Sequence, residues 1–148
     1  MIRVLIIDDH TLVRRGLREI LRAQVDVAQV GEARDGAEGL ALLRTDTWDL
    51  VVLDISMAGM SGIDVLRQIR LQHADLPVIM LSMHDELWVV RKCFELGAKG
   101  YVTKEAAPKE LMVEIRAVLD GTVYINRLYD AAMKASDTLE SGNDNEPG

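Results

Sequence analysis

The sequence predicts a single doubly wound α/β domain over residues 1–121, with helices on both faces of a five-stranded parallel sheet. Five short apolar runs alternate strictly with five segments of helical periodicity, the pattern of successive βαβ units. The first, third and fourth runs are continuously apolar rather than alternating, as suits strands covered on both faces. Four runs lead directly into residues able to do chemistry: Asp8 and Asp9, Asp54, Ser82, and Lys104. The carboxyl ends of parallel strands share one edge, where open α/β sheets hold their ligands.

Each element has its own signal. Residues 2–7 form the first strand, with only Arg3 charged, and Thr11 is expected to cap a helix whose Leu12, Val13, Leu17, Ile20 and Leu21 recur at helical spacing. Residues 27–31 are a short second strand, and Asp35 with Gly36 turns the chain into a helix carrying Leu40 and Leu43. The third strand, residues 50–53, runs into Asp54, after which Ile63, Leu66 and Ile69 face inward and Arg67 and Arg70 outward. Pro77 stands at the entrance of a strand over 78–81, where a missing amide is tolerated. Residues 86–96 read as a helix stopped by Gly97, with Cys93 on its apolar side. A fifth strand over 100–103 precedes a helix that opens at Pro108 and stops at Gly121.

The chain carries 24 acidic and 17 basic residues, a net charge of -7, which speaks against a nucleic-acid surface in this segment. A small cation or a basic protein partner fits the balance better. The single cysteine excludes an internal disulfide framework. No apolar run approaches the roughly 20 residues of a membrane span, so the expectation is a cytoplasmic protein with no membrane partner. Residues 122–135 read as an extension able to form a short helix, and residues 136–148, polar and almost free of apolar side chains, as a disordered linker or tail.

Asp8, Asp9 and Asp54 brought to one sheet edge would repel one another unless they share positive charge, from a divalent ion, a lysine or both. An oxygen-rich set favours Mg2+ over zinc. A carboxylate beside such an ion, with a hydroxyl and an ammonium nearby, is equipped to receive a phosphoryl group. His10 is expected to be a solvated or capping residue rather than a ligand, because Mg2+ prefers oxygen. His73 reads as a surface or linker residue.

Four stretches, MIRVLIIDDHTLVRRGL, LDISMAGMSGIDVL, PVIMLSMHDE and GAKGYVTKEAAPKEL, resemble the receiver domain of bacterial two-component response regulators. Within that family they are similar to the NarL/FixJ members with LuxR-type output. The resemblance implies a flavodoxin-like, CheY-like fold with strand order 2-1-3-4-5. It implies that Asp54 is the phosphoacceptor, that Asp8 and Asp9 hold Mg2+ with the backbone carbonyl of Ser56, and that Asp9 is the more direct ligand. Ser82 and Lys104 would contact the phosphoryl group, and Tyr101 would be the switch aromatic that turns inward as Ser82 moves. Ser56 and His84 match two variable positions that adjust phosphate lifetime. Where the family usually has proline, this chain has Ala58, which frees φ and adds an N–H, leaving the loop looser or differently bonded.

The implied partners are a cognate sensor histidine kinase, a second copy of the chain after phosphorylation, and DNA through a C-terminal helix-turn-helix domain missing from these residues. Such a protein is not an enzyme with a separate substrate, since its chemistry is confined to Asp54. Met112, Leu119 and Trp88 are candidates for partly exposed dimer contacts. Two other readings compete: a stand-alone receiver acting by protein–protein contact, and a small metal-dependent phosphatase using Asp54 as nucleophile.

Overall fold

The computed structural model describes residues 1–83 and 86–121, together with Ala131 and Lys134. His84 and nearly all of the expected extension and tail lie outside the described residues. The elements follow in the order β1 (Ile2–Ile7), α1 (Thr11–Arg22), β2 (Val27–Ala33), α2 (Gly36–Thr45), β3 (Leu50–Asp54), α3 (Gly62–Gln72), β4 (Val78–Ser82), α4 (Leu87–Glu95), β5 (Gly100–Thr103) and α5 (Ala107–Leu119). All strand pairs are parallel, in the order β2-β1-β3-β4-β5. The sequence expectation of a doubly wound sheet with that order is met.

Alternate strand residues feed two separate cores. Leu5, Ile7, Val51, Leu53 and Met80 point to one face, where Leu40 and Leu43 of α2, Leu66 and Ile69 of α3, and Val90 and Cys93 of α4 cover them. Val4, Ile6, Val52 and Leu81 point to the other, beneath Leu17 and Leu21 of α1 and Leu111 and Ile115 of α5. Both faces are therefore dry, which is why these strands read as unbroken apolar runs. Burial pushes the Cys93 thiol up to about 11, as fits a core position rather than a reactive one.

Several details differ from the sequence reading. Strand β2 continues two residues further, to Ala33, because the half-buried Glu32 it carries is paired with Arg14 and Arg18. Thr11 is the first residue of α1 and not its cap; His10 holds that position and makes no side-chain cap bond. Leu12 is 89% exposed, since the buried stripe follows Val13, Leu17 and Leu21 at i, i+4, i+8, and Leu12 falls about 100° to one side. Of the candidate contacts only Met112 departs from expectation, being buried; Leu119 is partly exposed and Trp88 exposed.

Arg70 does not face outward. Its guanidinium donates to the carbonyls of His73, Ala74 and Leu76 beyond α3 and to that of Gly97 beyond α4. Gly97, at φ +99°, leaves room for it, because a Cβ there would stand 2.6 Å from Arg70 Nε. Arg70→Ala strips several carbonyls of a charged donor at once and is expected to cost roughly 2 kcal/mol, measured as a lower urea midpoint with unchanged m-value.

Candidate functional site

Register builds the site. Ile7 pairs with Leu53, Asp54 with Leu81, and Ser82 with Thr103, so the residues just past β1, β3, β4 and β5 emerge at one edge. Asp8, Asp54, Ser82 and Lys104 are all buried there. The Lys104 ammonium lies 3.3 Å from Asp8 Oδ1 and 3.3 Å from Asp54 Oδ2, bridging the two carboxylates. Its backbone N–H donates to the Ser82 carbonyl at 2.7 Å, which fixes the lysine at the end of the sheet.

Asp54 is 1% exposed. Burial, and after it the Asp8 carboxylate alongside, raises its pKa to about 7, with Lys104 opposing the shift. Asp8 is oriented by its own surroundings: Oδ1 accepts from the His10 N–H at 2.9 Å, and its carbonyl accepts from the Arg14 guanidinium at 2.7 Å. Asp8 Oδ2 is buried with no hydrogen-bond partner. A buried acceptor left over among three carboxylates fits a site for a hard cation. Asp8, Asp9, His10 and Asp54 each offer one ligand atom, all within 4.8 Å of one another.

The loop after β3 completes the edge. The Ser56 N–H points at Asp54 Oδ1, 3.4 Å away, and the Ala58 N–H donates to Asp9 Oδ2 at 3.1 Å. A proline at position 58 has no hydrogen for that bond, so of the two outcomes expected for Ala58 the structure shows different bonding. Gly62, at the start of α3, donates to the Ile55 carbonyl at 2.8 Å and closes the loop against β3.

Tyr101 is buried within the core cluster that includes Val90 and Cys93 of α4. Its backbone N–H, on the open edge of the sheet, donates at 2.7 Å to the buried carboxylate of Glu114 from α5. Gly100 makes this possible, because a Cβ there would collide with the Glu114 carboxylate.

Sequence reasoning placed Asp8, Asp9, Asp54, Ser82 and Lys104 at one edge but missed the Arg14 bond to the Asp8 carbonyl. His10, read as solvated or capping, has a half-exposed side chain and stands at the N-cap position of α1 without a cap bond, and its Nδ1 also lies 3.2 Å from both Asp8 Oδ1 and Asp9 Oδ1. Its position beside the acidic pair was the available signal. Arg14 reaches the site from α1, whereas Glu114 of α5 meets the Tyr101 amide at the outer edge of β5, away from the carboxylates.

A five-stranded parallel sheet with three carboxylates and a lysine at its carboxyl edge makes this an α/β domain with an acidic pocket. The family description "Response regulator receiver domain" matches residues 4–116, and the chain belongs to that family. It is 42% identical over 125 residues to the response regulator UvrY of Escherichia coli (strain K12), covering 84% of this chain and 57% of the relative. A two-component response regulator of the LuxR family from Aurantimonas sp. SI85-9A1 superposes with a TM-score of 0.85 at 33% identity, over 93% of this chain and 99% of that one. The Salmonella typhimurium response regulator RcsB gives 0.82 at 26% identity, over 90% and 67%. The chain thus spans a little over half the length of the curated relative UvrY. Among the described residues, no helix is long and apolar enough to cross a membrane.

Proposed function

We propose that this domain accepts one phosphoryl group on Asp54 from the phosphohistidine of a sensor kinase. The observation that carries the reading is the Lys104 ammonium held 3.3 Å from Asp54 Oδ2 and 3.3 Å from Asp8 Oδ1 at the end of the central strand. In the transfer an Asp54 oxygen forms the new bond to phosphorus as the bond to the donor nitrogen breaks. The leaving imidazole keeps that electron pair and takes up a proton.

Asp54 must be ionised to attack, and burial holds its pKa near 7, so the site needs added positive charge to work well at neutral pH. Asp8, Asp9, Asp54 and the Ser56 carbonyl would hold Mg2+. When bound, the ion neutralises carboxylate and phosphoryl charge. Lys104 would follow the negative charge from the carboxylate onto the phosphoryl oxygens. Ser82, one residue past Leu81 in β4, would supply a hydroxyl to the same oxygens, with Tyr101 adjusting behind it. Ser56, Ala58 and His84 would govern water access and phosphate lifetime.

The output reading rests on the relatives. One of them, RcsB, is described in terms of DNA interaction, and the chain covers only part of UvrY. A change in pairing between copies, passed to a C-terminal helix-turn-helix domain, is the response we assign to phosphorylation.

A small phosphodonor with Mg2+ is expected to add one phosphoryl group, detected as a mass increase, and Asp54→Ala is expected to abolish the addition. Undiminished labelling of that variant would overturn the assignment.

A further inference from the structure

The chain is acidic as a whole, at net -7, yet α1 carries Arg14, Arg15, Arg18 and Arg22 against the single acid Glu19. Its first turn holds no acidic residue. Carboxylates stabilise a helix N-terminus and cations weaken it, so Arg14 and Arg15 stand near the end of α1 that gains least from them. A local rule broken at a cost in stability marks a place where another demand is met.

Three of these arginines line one cleft. Between α1, the end of β2 and the start of α2 lies an opening of about 230 Å³ bounded by Arg14, Arg15, Arg18, Glu32, Arg34 and Glu38. Four guanidiniums against two carboxylates leave it with two positive charges in excess. Glu32 bridges two of them: Oε1 accepts from Arg14 Nε at 3.0 Å and Oε2 from Arg18 Nη1 at 2.8 Å. Arg14 Nη1 is held by the Asp8 carbonyl and Arg18 Nε by Glu19. Both guanidinium planes are thus fixed, while Nη2 of each has no acceptor among the described residues. Arg34, 78% exposed, has only Glu38 beside it at 3.4 Å. Arg15 is exposed and has no ion-pair or hydrogen-bond partner among the described residues.

We propose that this cleft binds a small, multiply charged phosphate ion of the pyrophosphate class, with Arg14 and Arg18 as fixed donors and Arg15 and Arg34 closing onto it. A guanidinium fork matches two phosphate oxygens at once, and two forks set in advance lower the ordering cost of binding. The volume lies below the roughly 300 to 1,000 Å³ of drug-sized ligand sites, which favours a compact ion over a nucleotide. A long polyanion would have to cross the acidic remainder of the chain, whereas a compact one meets the cleft alone.

The test is calorimetric titration of the full chain with pyrophosphate, at fixed ionic strength and without divalent ions, beside duplex DNA followed by fluorescence anisotropy. Wild type is expected to bind pyrophosphate about tenfold more tightly than inorganic phosphate. Arg15→Gln and Arg34→Gln are each expected to weaken that binding about fivefold. Arg22→Gln removes the same charge from the same helix outside the cleft, where Arg22 lies 3.9 Å from Glu19, and is expected to leave it unchanged. Circular dichroism checks that the variants are folded. Absence of pyrophosphate binding, or an equal loss in Arg22→Gln, overturns the site. DNA binding that Arg15→Gln and Arg34→Gln weaken and pyrophosphate does not displace would make the cleft part of a nucleic-acid face and overturn it as well.

Discussion

Gly62→Ala is expected to lose about 3 kcal/mol of stability and to slow phosphoryl loading of what remains folded. The reason is local and has no soft way out. A Cβ at position 62 would run into the carbonyl oxygen of Asp54 and come within 2.7 Å of Ile55 Cα and 2.8 Å of the Asp54 carbonyl carbon. All three are backbone atoms of β3 and its exit, so no rotamer can move aside. Relief requires α3 to back away, which breaks the Gly62 N–H bond to the Ile55 carbonyl, or β3 to shift, which carries the Asp54 carboxylate out of reach of Lys104. Urea denaturation reads the first effect, and the rate of labelling by a small phosphodonor reads the second. Unchanged values in both would mean that the close approach of α3 to β3 is not a constraint on the site.

Asp54→Asn is expected to make the metal-free protein more stable at pH 8, by roughly 2 kcal/mol, and to make no difference near pH 4. In the folded chain the Asp54 pKa is raised from 3.8 to about 7. Below 3.8 both folded and unfolded chains carry the proton, and folding is not penalised. As pH rises from there toward 7, the unfolded chain ionises while the folded one resists, and stability drains away until the folded carboxyl also ionises. Asparagine fills the same space with nothing to ionise, although it gives Lys104 a weaker acceptor, which trims the gain. Denaturation of wild type and variant at both pH values, without divalent ions, checks the sign. Adding Mg2+ at pH 8 should narrow the gap by stabilising wild type selectively. Equal stability of the two proteins at both pH values would show that Asp54 carries no such penalty.

What the sequence disclosed follows from where each residue's environment is written. The runs at Val4 to Ile7, Leu50 to Leu53 and Val78 to Leu81 were legible because their burial on both faces permits only apolar side chains. Asp8, Asp9, Asp54, Ser82 and Lys104 were legible because each sits immediately beyond such a run. The end of β2 was not, because Glu32 is made tolerable there by Arg14 and Arg18 from α1, and that pairing exists only once the chain is folded. The same holds for Arg70, whose acceptors lie past the ends of two helices, and for Glu114, which meets the Tyr101 amide across the open side of β5. His10 was read in part: its side chain is half exposed and it stands at the N-cap position of α1, as expected, but its contact with Lys104, which arrives from the far end of the domain, exists only in the fold.

The bond from the Ala58 N–H to Asp9 Oδ2 bears on how quickly the pocket can close around a guest. Asp8 and Asp54 are immobilised by burial, whereas the Asp9 side chain is 31% exposed and is the carboxylate of the three with room to rotate. Tethering one of its oxygens leaves the other, Oδ1, turned toward the pocket, so less rotational freedom is surrendered when a cation arrives. A proline at 58 would stiffen the loop and release the carboxylate. Alanine does the reverse, placing the rigidity in the grasping group and the compliance in the chain behind it.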